Sequence, residues 1–592
     1  MKKIRSLKRI IASVAIVCFA EVSFASTGFT YNDFTYNIID PTNKIVEVTS
    51  YLGSNVTVEL LTEVVSPVDG ETYAVEKIAD DAFNGSHVAS ITLPLSIKTI
   101  GVSAFANCQN LVVISLPTSV ETISNYAFFN CSNLKDVSFG DVKEIGVSAF
   151  ENCSSISVLD LPQNLSIIRN GAFTNCSSLM TINIPRDLTT LYANTFKGCN
   201  KIKNVTYSAA RCSTDGKVFA DIEEFSHLSF TEGVEWIPSH MFENCKYLTG
   251  IVIPNSVKHV REFAFAGCSG IVDVLFGNDI AIIDSCAFSG CSSLEMVNLA
   301  PAIERIGAEA FRDCESLSRL IIVPSGDCQI GNRAFVGCSS LPNVTLGANI
   351  SEIGDFAFAS TAIESFELPQ NTTTIGAAIL ADNSKLTSLT VNLGNTHFDS
   401  RDECNAIIRT ADNTLVAGSN VAVIPESVTS IADFAFNAAC DMDSIVVPNS
   451  VKSIGNEAFS SCENLEKITL GNSVQTIGMG AFWGCGKLSD LISKNNTPPS
   501  FSSSSIFDST AFMKCKVYVS NEAYDAYRNA TLWKNFLRMV AVDFSGIENV
   551  TVSDAVEVAR YDIYGRQLTQ PTQGINIVKM SDGSVKKESV KR

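Results

Sequence analysis

The chain lacks the common short motifs of nucleophilic, phosphate-binding and zinc-dependent enzymes. G-x-S-x-G, G-x-x-x-x-G-K-[ST], H-E-x-x-H and C-x-x-C are all absent. Carboxylates are too numerous for one catalytic pair to stand out, which leaves that alternative open. Because a function must be argued from a site, we predict that the protein is not an enzyme and uses no cofactor or metal. Histidine is also scarce, with five scattered copies at His87, His227, His240, His259 and His397.

Basic residues are outnumbered by acidic ones, 43 Lys and Arg against 62 Asp and Glu, so the formal net charge is -19. Removal of the leader described below would lower it to -23, because residues 1–25 carry five basic and one acidic side chain. Nucleic-acid binding needs a basic stripe, and none is visible after the leader. Nucleic acid is therefore not an expected partner.

No apolar run of the sequence reaches the ~20 residues that a membrane-spanning helix needs. The run from Ile10 to Ala20 follows five basic residues and precedes Ser23-Phe24-Ala25, which offers small residues where a signal peptidase reads. We predict that residues 1–25 are a signal peptide, that there is no membrane span, and that the protein is exported to the outer cell surface or secreted. Cys18 lacks the small preceding residue expected at a lipid-acceptor cysteine.

The chain does contain one sequence motif that repeats at a fixed period, I-G-x-x-A-F-x-x-C-x-x-L-x-x-I-x-L-P-x-x-V. Its cysteine recurs every 22 to 24 residues in most intervals, and the interval from Cys199 to Cys245 is 46. Such a period is typical of a solenoid, in which each coil packs on its neighbours. The repeated cysteines are Cys108, Cys131, Cys153, Cys176, Cys199, Cys245, Cys268, Cys291, Cys314, Cys338, Cys440, Cys462 and Cys485.

The Leu-x-x-Ile-x-Leu part of the phrase predicts one short strand per coil, which the following proline ends. Stacked coils would pair these strands in a parallel sheet, giving roughly 17 coils between Ile78 and Leu491 and a rod about 80 Å long. The phenylalanine of each Ala-Phe pair is expected to form an inward ladder. The repeated cysteines should be small buried hydrophobes, because their side chains would run parallel rather than face each other.

These repeats resemble the BspA-like leucine-rich repeats of bacterial surface proteins in period, in the Ala-Phe-x-x-Cys phrase and in the Leu-Pro strand end. The resemblance implies a surface protein that adheres to host matrix proteins or to other microbes. The predicted fold is a leucine-rich-repeat solenoid with one short parallel strand per ~23-residue coil. A β-rich N-terminal cap, a small α+β C-terminal cap and a short β tail complete it.

The expected segments are a signal peptide at 1–25, an N-terminal β cap at 26–77, the solenoid at 78–496, a capping unit at 497–545 and a sorting tail at 546–592. The tail resembles the C-terminal sorting signal of type IX secretion, and a plain pair of β-hairpins is the alternative. Inserts are predicted near 207–232 and 393–421. Clustered acidic residues in the second could bind calcium, but a solvated turn is favoured because EF-hand spacing is missing. They are Asp399, Asp402, Glu403 and Asp412.

A candidate binding face is formed by the strand residues that point away from the core. Small polar residues dominate the position between the last two inward residues, but Val252, Leu275 and Ile321 break this pattern within four consecutive coils. Four strands span only about 15 Å, so we expect one partly apolar patch. Its members are Val252, Leu275, Met296, Asn298, Arg319 and Ile321. The alternative is that the predicted insert at 207–232 covers them.

These features together predict a non-enzymatic, monomeric cell-surface protein for adhesion or ligand capture. Its partner would be a host extracellular or mucosal protein, or another microbial surface. The alternative is a structural coat or spacer without a specific ligand. The exposed face distinguishes the two, since a spacer needs only its core positions and has no reason to expose apolar side chains.

Overall fold

A computed structural model of the chain describes residues 28–220, 222–544, 557–561, 566–570, 574–580 and 585–590. The predicted signal peptide at 1–25 lies outside the described residues. The chain winds into a β-solenoid of about 20 coils with almost no helix, which confirms the predicted leucine-rich-repeat solenoid. Among the described residues, no helix has the length and apolar character that crossing a bilayer requires.

Each coil contributes one strand of three to five residues to a parallel sheet along the solenoid, here called the major sheet. Hydrogen bonds join its strands in five consecutive groups. The strands are Thr57–Glu59, Ser90–Thr92, Val113–Ser115, Asp136–Ser138, Val158–Asp160, Thr181–Ile184, Asn204–Tyr207, His227–Phe230, Gly250–Val252, Asp273–Leu275, Met296–Leu299, Arg319–Ile322, Val344–Leu346, Ser365–Leu368, Ser388–Val391, Ser444–Val447, Lys467–Leu470, Asp490–Ser493, Lys516–Ser520 and Arg538–Val542.

Most coils add a second, shorter strand, and these strands pair in parallel in three hydrogen-bonded groups, together called the minor sheet. Most have only two residues, too few for an alternating pattern to appear in the sequence. They are Thr99–Ile100, Thr122–Ile123, Glu144–Ile145, Ile167–Ile168, Thr190–Leu191, Trp236–Ile237, His259–Val260, Ile282–Ile283, Arg305–Ile306, Cys328–Ile330, Ile350–Ile353, Thr374–Ile375, Ser430–Ile431, Ser453–Ile454, Thr476–Ile477 and Ser500–Phe501.

The glycine of the repeated Ile-Gly pair allows close approach between coils. A Cβ added at Gly307 would lie 2.5 Å from the backbone nitrogen of Ser285, and one at Gly478 would lie 2.4 Å from that of Asn456. Both clashes are with the backbone of the preceding coil, which cannot move aside as a flexible side chain can. Glycine is therefore required here by the stacking distance.

The predicted phenylalanine ladder is present along the core. Consecutive rings stack nearly parallel, with centroids 4.9 Å apart for Phe83 and Phe105 and 5.8 Å apart for Phe173 and Phe196, the two ends of the range. These distances are close to the ~4.8 Å spacing of strands in a sheet, so one ring per coil fills the interior from Phe83 to Phe358 and again from Phe436 to Phe507. In the coil that follows Phe358, the buried Leu380 takes the place of the ring. The ladder rings have almost no solvent exposure.

The repeated cysteines perform a hydrogen-bonding task that the sequence did not reveal. In twelve of them, Sγ donates to the carbonyl oxygen of the ladder phenylalanine one coil earlier, over 3.0 to 3.4 Å. Cys268, for example, donates to Phe242 over 3.0 Å. Burial raises the pKa of the Cys338 and Cys485 thiols to about 12, which keeps them protonated donors at neutral pH.

Cys440 is an exception, and its assignment to the repeated slot is wrong. Ala439 lies three residues after Phe436 and occupies the slot, buried, whereas Cys440 is half-buried with Sγ 3.7 Å from the Ser461 carbonyl. Asn383 is the reverse case. Its Nδ2 lies 2.9 Å from the Phe358 carbonyl, so an amide replaces the thiol as donor in this slot.

The predicted insert at 207–232 is also wrong, because this segment is an ordinary coil. Its strand His227–Phe230 pairs in parallel register with Asn204–Tyr207. Phe219 joins the ladder, with its ring centroid 5.1 Å from Phe196 and 5.6 Å from Phe242. This coil has apolar residues at the core positions, but it does not contain the Ala-Phe pair or the cysteine at the repeated position that identify the other repeats in the sequence.

The other predicted insert, near 393–421, does differ in structure from a regular coil. Its strands Phe398–Asp399, Ala406–Arg409 and Thr414–Gly418 pair antiparallel, and a 3-10 turn covers Arg401–Glu403. Two of its acidic side chains pair with arginines. Arg401 lies 2.5 Å from Asp399, and Arg409 lies 3.1 Å from Asp412. Across the described ranges, no group of three or more His, Cys, Asp or Glu side chains is arranged to hold a metal ion.

The two ends of the solenoid carry different elements. At the N-terminal end, the strands are Gly28–Tyr31, Phe34–Asp40, Ile45–Tyr51, Glu63–Val65 and Thr72–Ile78. At the C-terminal end, helices Ser509–Lys514 and Tyr524–Asn529 and the 3-10 turn Trp533–Asn535 flank the last two strands of the major sheet. The tail has four strands in one antiparallel sheet, Glu557–Tyr561, Gln567–Leu568, Gly574–Met580 and Val585–Val590.

We predict that the repeated cysteines are reduced in the exported protein, since every one of these thiols except that of Cys440 is buried and donates to the carbonyl of a ladder phenylalanine. Alkylation under denaturing conditions, followed by mass spectrometry, should find most of them as free thiols. Finding the repeated cysteines predominantly in disulfides would contradict this packing.

The ladder predicts a large stability difference between core and outward positions of adjacent coils. Phe288→Ala removes a fully buried ring that stacks on Phe265 and Phe311 and should lower the free energy of unfolding by about 3–5 kcal/mol. The control Leu275→Ala, at an exposed position, should change it by less than about 0.5 kcal/mol. Denaturant unfolding followed by circular dichroism measures both, and equal effects would refute the ladder as the stabilising element.

Candidate partner-binding face

The six residues of the predicted patch lie on neighbouring strands of the major sheet, on its outward side. Val252 is paired directly with Leu275, and Asn298 with Ile321. Met296 is paired with Arg319. The six residues therefore form two adjacent rows across four strands, and we call them the strand patch.

Alternation within each strand places the patch outside the core. Ile251 and Val274 point inward and are 3% and 4% exposed, whereas their neighbours Val252 and Leu275 are 61% and 54% exposed. Met296 and Ile321 are half-buried, and Asn298 and Arg319 are exposed. An isoleucine or leucine in this position remains in contact with water, which costs free energy in the isolated protein.

No insert covers the strand patch, contrary to the alternative raised by the sequence. Residues 207–232 form a coil whose strand, His227–Phe230, extends the major sheet beside Gly250–Val252 rather than crossing over it. The exposed fractions of Val252 and Leu275 show the same thing directly. The patch is open to solvent.

Most of the remaining outward face is polar. In the row that contains Val252, the preceding coils present Ser115, Ser138, Asp160, Asn183, Thr206 and Ser229, and the following coils present Thr345, Glu367 and Thr390, before the exposed Val446. The parallel row adds two exposed apolar side chains that the sequence reading missed, Val113 at 42% and Val158 at 55%. Asp136 separates them on the intervening strand, so they do not join into a second patch.

Charge is present at the edge of the strand patch. Arg319 is exposed, and Asp273 is paired with Met296 in the same row. Among the described residues, no carboxylate forms an ion pair with Arg319. An apolar centre with an available guanidinium beside it has the composition of a protein interface rather than of a plain solvated surface.

The strand patch belongs to an exposed sheet surface, and neither of two large clefts in the described residues includes a residue of it. One cleft of about 510 Å³ is lined by residues 498–504 and 530–532 near the C-terminal end, and another of about 360 Å³ lies between the first strands. Small-molecule sites are concave and enclose most of their ligand. An exposed sheet surface is therefore better suited to a macromolecule than to a small ligand.

The minor sheet carries a cluster of aromatic and charged groups that sequence reasoning missed. The ring of Trp236 lies between two guanidinium groups, with Arg261 4.5 Å and Arg211 5.7 Å from its centroid. Arg211 also pairs with Glu235 at 2.6 Å. Only the paired register of the coils brings these residues together, so no single motif could have indicated them.

Neighbouring polar groups on the minor sheet are likewise paired with each other. Nε2 of His259 lies 2.5 Å from Asp284, and Arg305 lies 2.8 Å from the other oxygen of the same carboxylate. Burial raises the pKa of Asp284, but the hydrogen bond from His259 and the nearby positive charges outweigh it and lower the pKa overall. His259, Asp284 and Arg305 are thus paired with one another, whereas Nε of the neighbouring Arg261 is buried without a hydrogen-bond partner among the described residues.

The family described as BspA type leucine rich repeat region (6 copies) matches residues 75–210, 212–328, 321–406 and 419–524, well over half of the chain. The chain belongs to the BspA-type leucine-rich repeat family. The match begins at the last N-terminal strand and passes through residues 212–232 without a gap, in agreement with the coil found there.

Solved structures similar to this BspA-type chain include a leucine-rich repeat protein from Bacteroides ovatus, at 21% identity, covering 78% of this chain and 94% of that one with a TM-score of 0.38. A leucine rich cell surface protein from Faecalibacterium prausnitzii has 16% identity, coverage of 88% and 95%, and a TM-score of 0.33. The pneumococcal vaccine antigen PcpA has 14% identity, coverage of 88% and 99%, and a TM-score of 0.29. No curated protein sequence matches the chain.

Proposed function

We propose that this BspA-type protein is a non-enzymatic binding protein of the bacterial cell surface that captures a protein partner on the strand patch. The observation that carries the proposal is the exposure of Val252 and Leu275 side by side on a face that is otherwise mostly polar. Large contiguous apolar patches are rare on the surface of a folded protein, and where they occur they usually mark an interaction site.

The partner class follows from the shape and composition of the strand patch. An exposed sheet surface with leucine, isoleucine, methionine and arginine side chains is suited to a protein with a complementary apolar residue and an acidic group near it. Membership of the BspA-type family favours a host extracellular or mucosal protein, or the surface of another microbe. A monomer is favoured because each coil pairs with its neighbours along the chain.

A structural coat or spacer without a specific ligand is the second candidate. The observation that favours it is the mostly small and polar outward face on both sides of the strand patch. A spacer would, however, gain nothing from exposing Leu275, whose partial exposure costs free energy. The adhesin or ligand-capture function is therefore preferred.

We also propose that segments at the two ends of the chain act in export and in capping the solenoid. The leader at 1–25 would export it, and the tail at 546–592 would act as a type IX sorting signal. The four antiparallel strands of the tail are compatible with that role and with a plain pair of hairpins. Residues 26–77 and 497–545 would serve as caps, because an uncovered end of a parallel sheet invites association.

Capture by the strand patch can be tested with the double variant Leu275→Asp and Ile321→Asp. Two carboxylates in place of apolar groups should reduce retention of the mature rod on immobilised host matrix proteins and mucins by tenfold or more, because hot-spot residues each contribute about 2 kcal/mol. The melting temperature should stay unchanged, since both side chains lie outside the core.

The matched control is Ser115→Asp with Ser138→Asp, which adds the same charge to the same face at polar positions. It should retain binding. Equal loss of binding in both variants would indicate a general charge effect, and full retention in the patch variant would refute the strand patch as the binding site.

If the tail is a sorting signal, its removal should change where the protein is found in the cell without changing the fold of the solenoid. A chain that ends at residue 545 should keep the circular dichroism of the solenoid but accumulate in the periplasm. Surface accessibility to added protease, measured on whole cells, distinguishes the two locations. A truncated chain that still reaches the surface would show that residues 546–592 are not a sorting signal.

A further inference from the structure

The last coils of the major sheet contain an outward position that is buried. Val446, Thr469, Ile492 and Tyr518 are successive members of one outward row, paired strand to strand. Val446 is 57% exposed, yet Thr469 is 8% exposed and Ile492 only 1%. Exposure along a regular row of this kind should not fall so far unless something lies on top of it.

Ile492 is not part of the solenoid core. Its neighbours in the strand, Leu491 and Ser493, point inward and have no exposure, so alternation directs Ile492 to the other side of the sheet. The hydroxyl of Ser493 confirms the inward direction, because it is 2.6 Å from the buried Tyr527 hydroxyl beneath the sheet. Two layers must therefore cover this strand, one on each side.

The neighbouring strands cannot supply the outer cover. Leu275 has the equivalent position between two outward neighbours, and it keeps 54% of its surface exposed. Tyr518 leans across one side of Ile492 to reach Asp490, with its hydroxyl 2.9 Å from the carboxylate. A ring on one side leaves the other side open, and there Thr469 is buried as well.

The tail sheet also has buried side chains on one of its faces. Arg560 and Val578 are directly paired on adjacent antiparallel strands, so both side chains point to the same face of that sheet. Arg560 is 6% exposed and Val578 is 4% exposed. A four-stranded sheet cannot bury one of its faces alone and needs a second layer against it.

Chain connectivity permits the two buried faces to meet. The last strand of the major sheet, Arg538–Val542, is two strands away from Asp490–Ser493, a distance of about 10 Å. Fourteen residues separate Val542 from the first tail strand at Glu557, and a connection of that length can extend to more than about 40 Å.

We infer that the tail sheet, formed by the strands Glu557–Tyr561, Gln567–Leu568, Gly574–Met580 and Val585–Val590, packs on the outward face of the last coils and covers Ile492 and Thr469. The tail thereby closes the C-terminal end of the major sheet, while the strand patch, many coils away, stays open. Partner capture is thus limited to the part of the face that precedes Val446. This interface does not depend on the identity of the partner or on a sorting function of the tail.

The test uses the mature full-length chain with Ile492→Asp. A buried carboxylate at the centre of the interface should release the tail, because a buried charge without a partner is strongly disfavoured. Amide hydrogen exchange, read by mass spectrometry on peptides from 557–580, should become tenfold faster or more. Peptides covering Leu491 should keep their protection, which shows that the coil itself remains folded.

The control Val158→Asp makes the same change at an outward position that is 55% exposed and far from the tail, so tail exchange should be unaffected. Thr469→Arg provides a second perturbation of the interface, in case Ile492→Asp disturbs the last coil. Unchanged tail exchange in both Ile492→Asp and Thr469→Arg would overturn the inference. Equal acceleration by Val158→Asp would overturn it too.

Discussion

The stacking distance between coils is the constraint on which the structure depends. Strand pairing in both sheets sets a spacing of about 4.8 Å, and one phenylalanine ring in most coils fills that spacing, with ring centroids 4.9 to 5.8 Å apart. The same spacing excludes a Cβ at Gly307 and brings each thiol within reach of a carbonyl one coil earlier. The Ile-Gly pair, the Ala-Phe pair and the cysteine of the repeated motif are therefore all explained by the distance between neighbouring coils.

This constraint separates stability from recognition. Core positions must repeat, since any change is felt by the coils on both sides, whereas outward positions of the major sheet are free to vary from coil to coil. The strand patch at Val252 and Leu275 and the covered row at Ile492 are two uses of that freedom. Both place apolar side chains where the repeat does not require them, one open to solvent and one beneath a second layer.

Much of the architecture could be predicted from the sequence, because repetition turns local patterns into a global fold. The ladder, the strand after each cysteine and the outward row with Leu275 follow from periodicity. The two-residue strands were too short to leave a pattern, and the coil at 207–232 was missed because Phe219 lies outside the usual phrase. Cys440 was misplaced by one residue. The burial of Ile492 and the pairing of Arg211 with Trp236 depend on contacts between distant segments, which no local pattern reports.

The proposed function places the bound partner on the open part of the major sheet, at the strand patch. Side-chain footprinting of the mature rod, alone and bound to immobilised matrix protein or mucin, tests this most directly. If a partner binds the strand patch, Leu275 and Met296 should lose labelling on binding, while Val158 and the minor-sheet residue Trp236 should not. Protection of Trp236 with unchanged labelling of Leu275 and Met296 would contradict it.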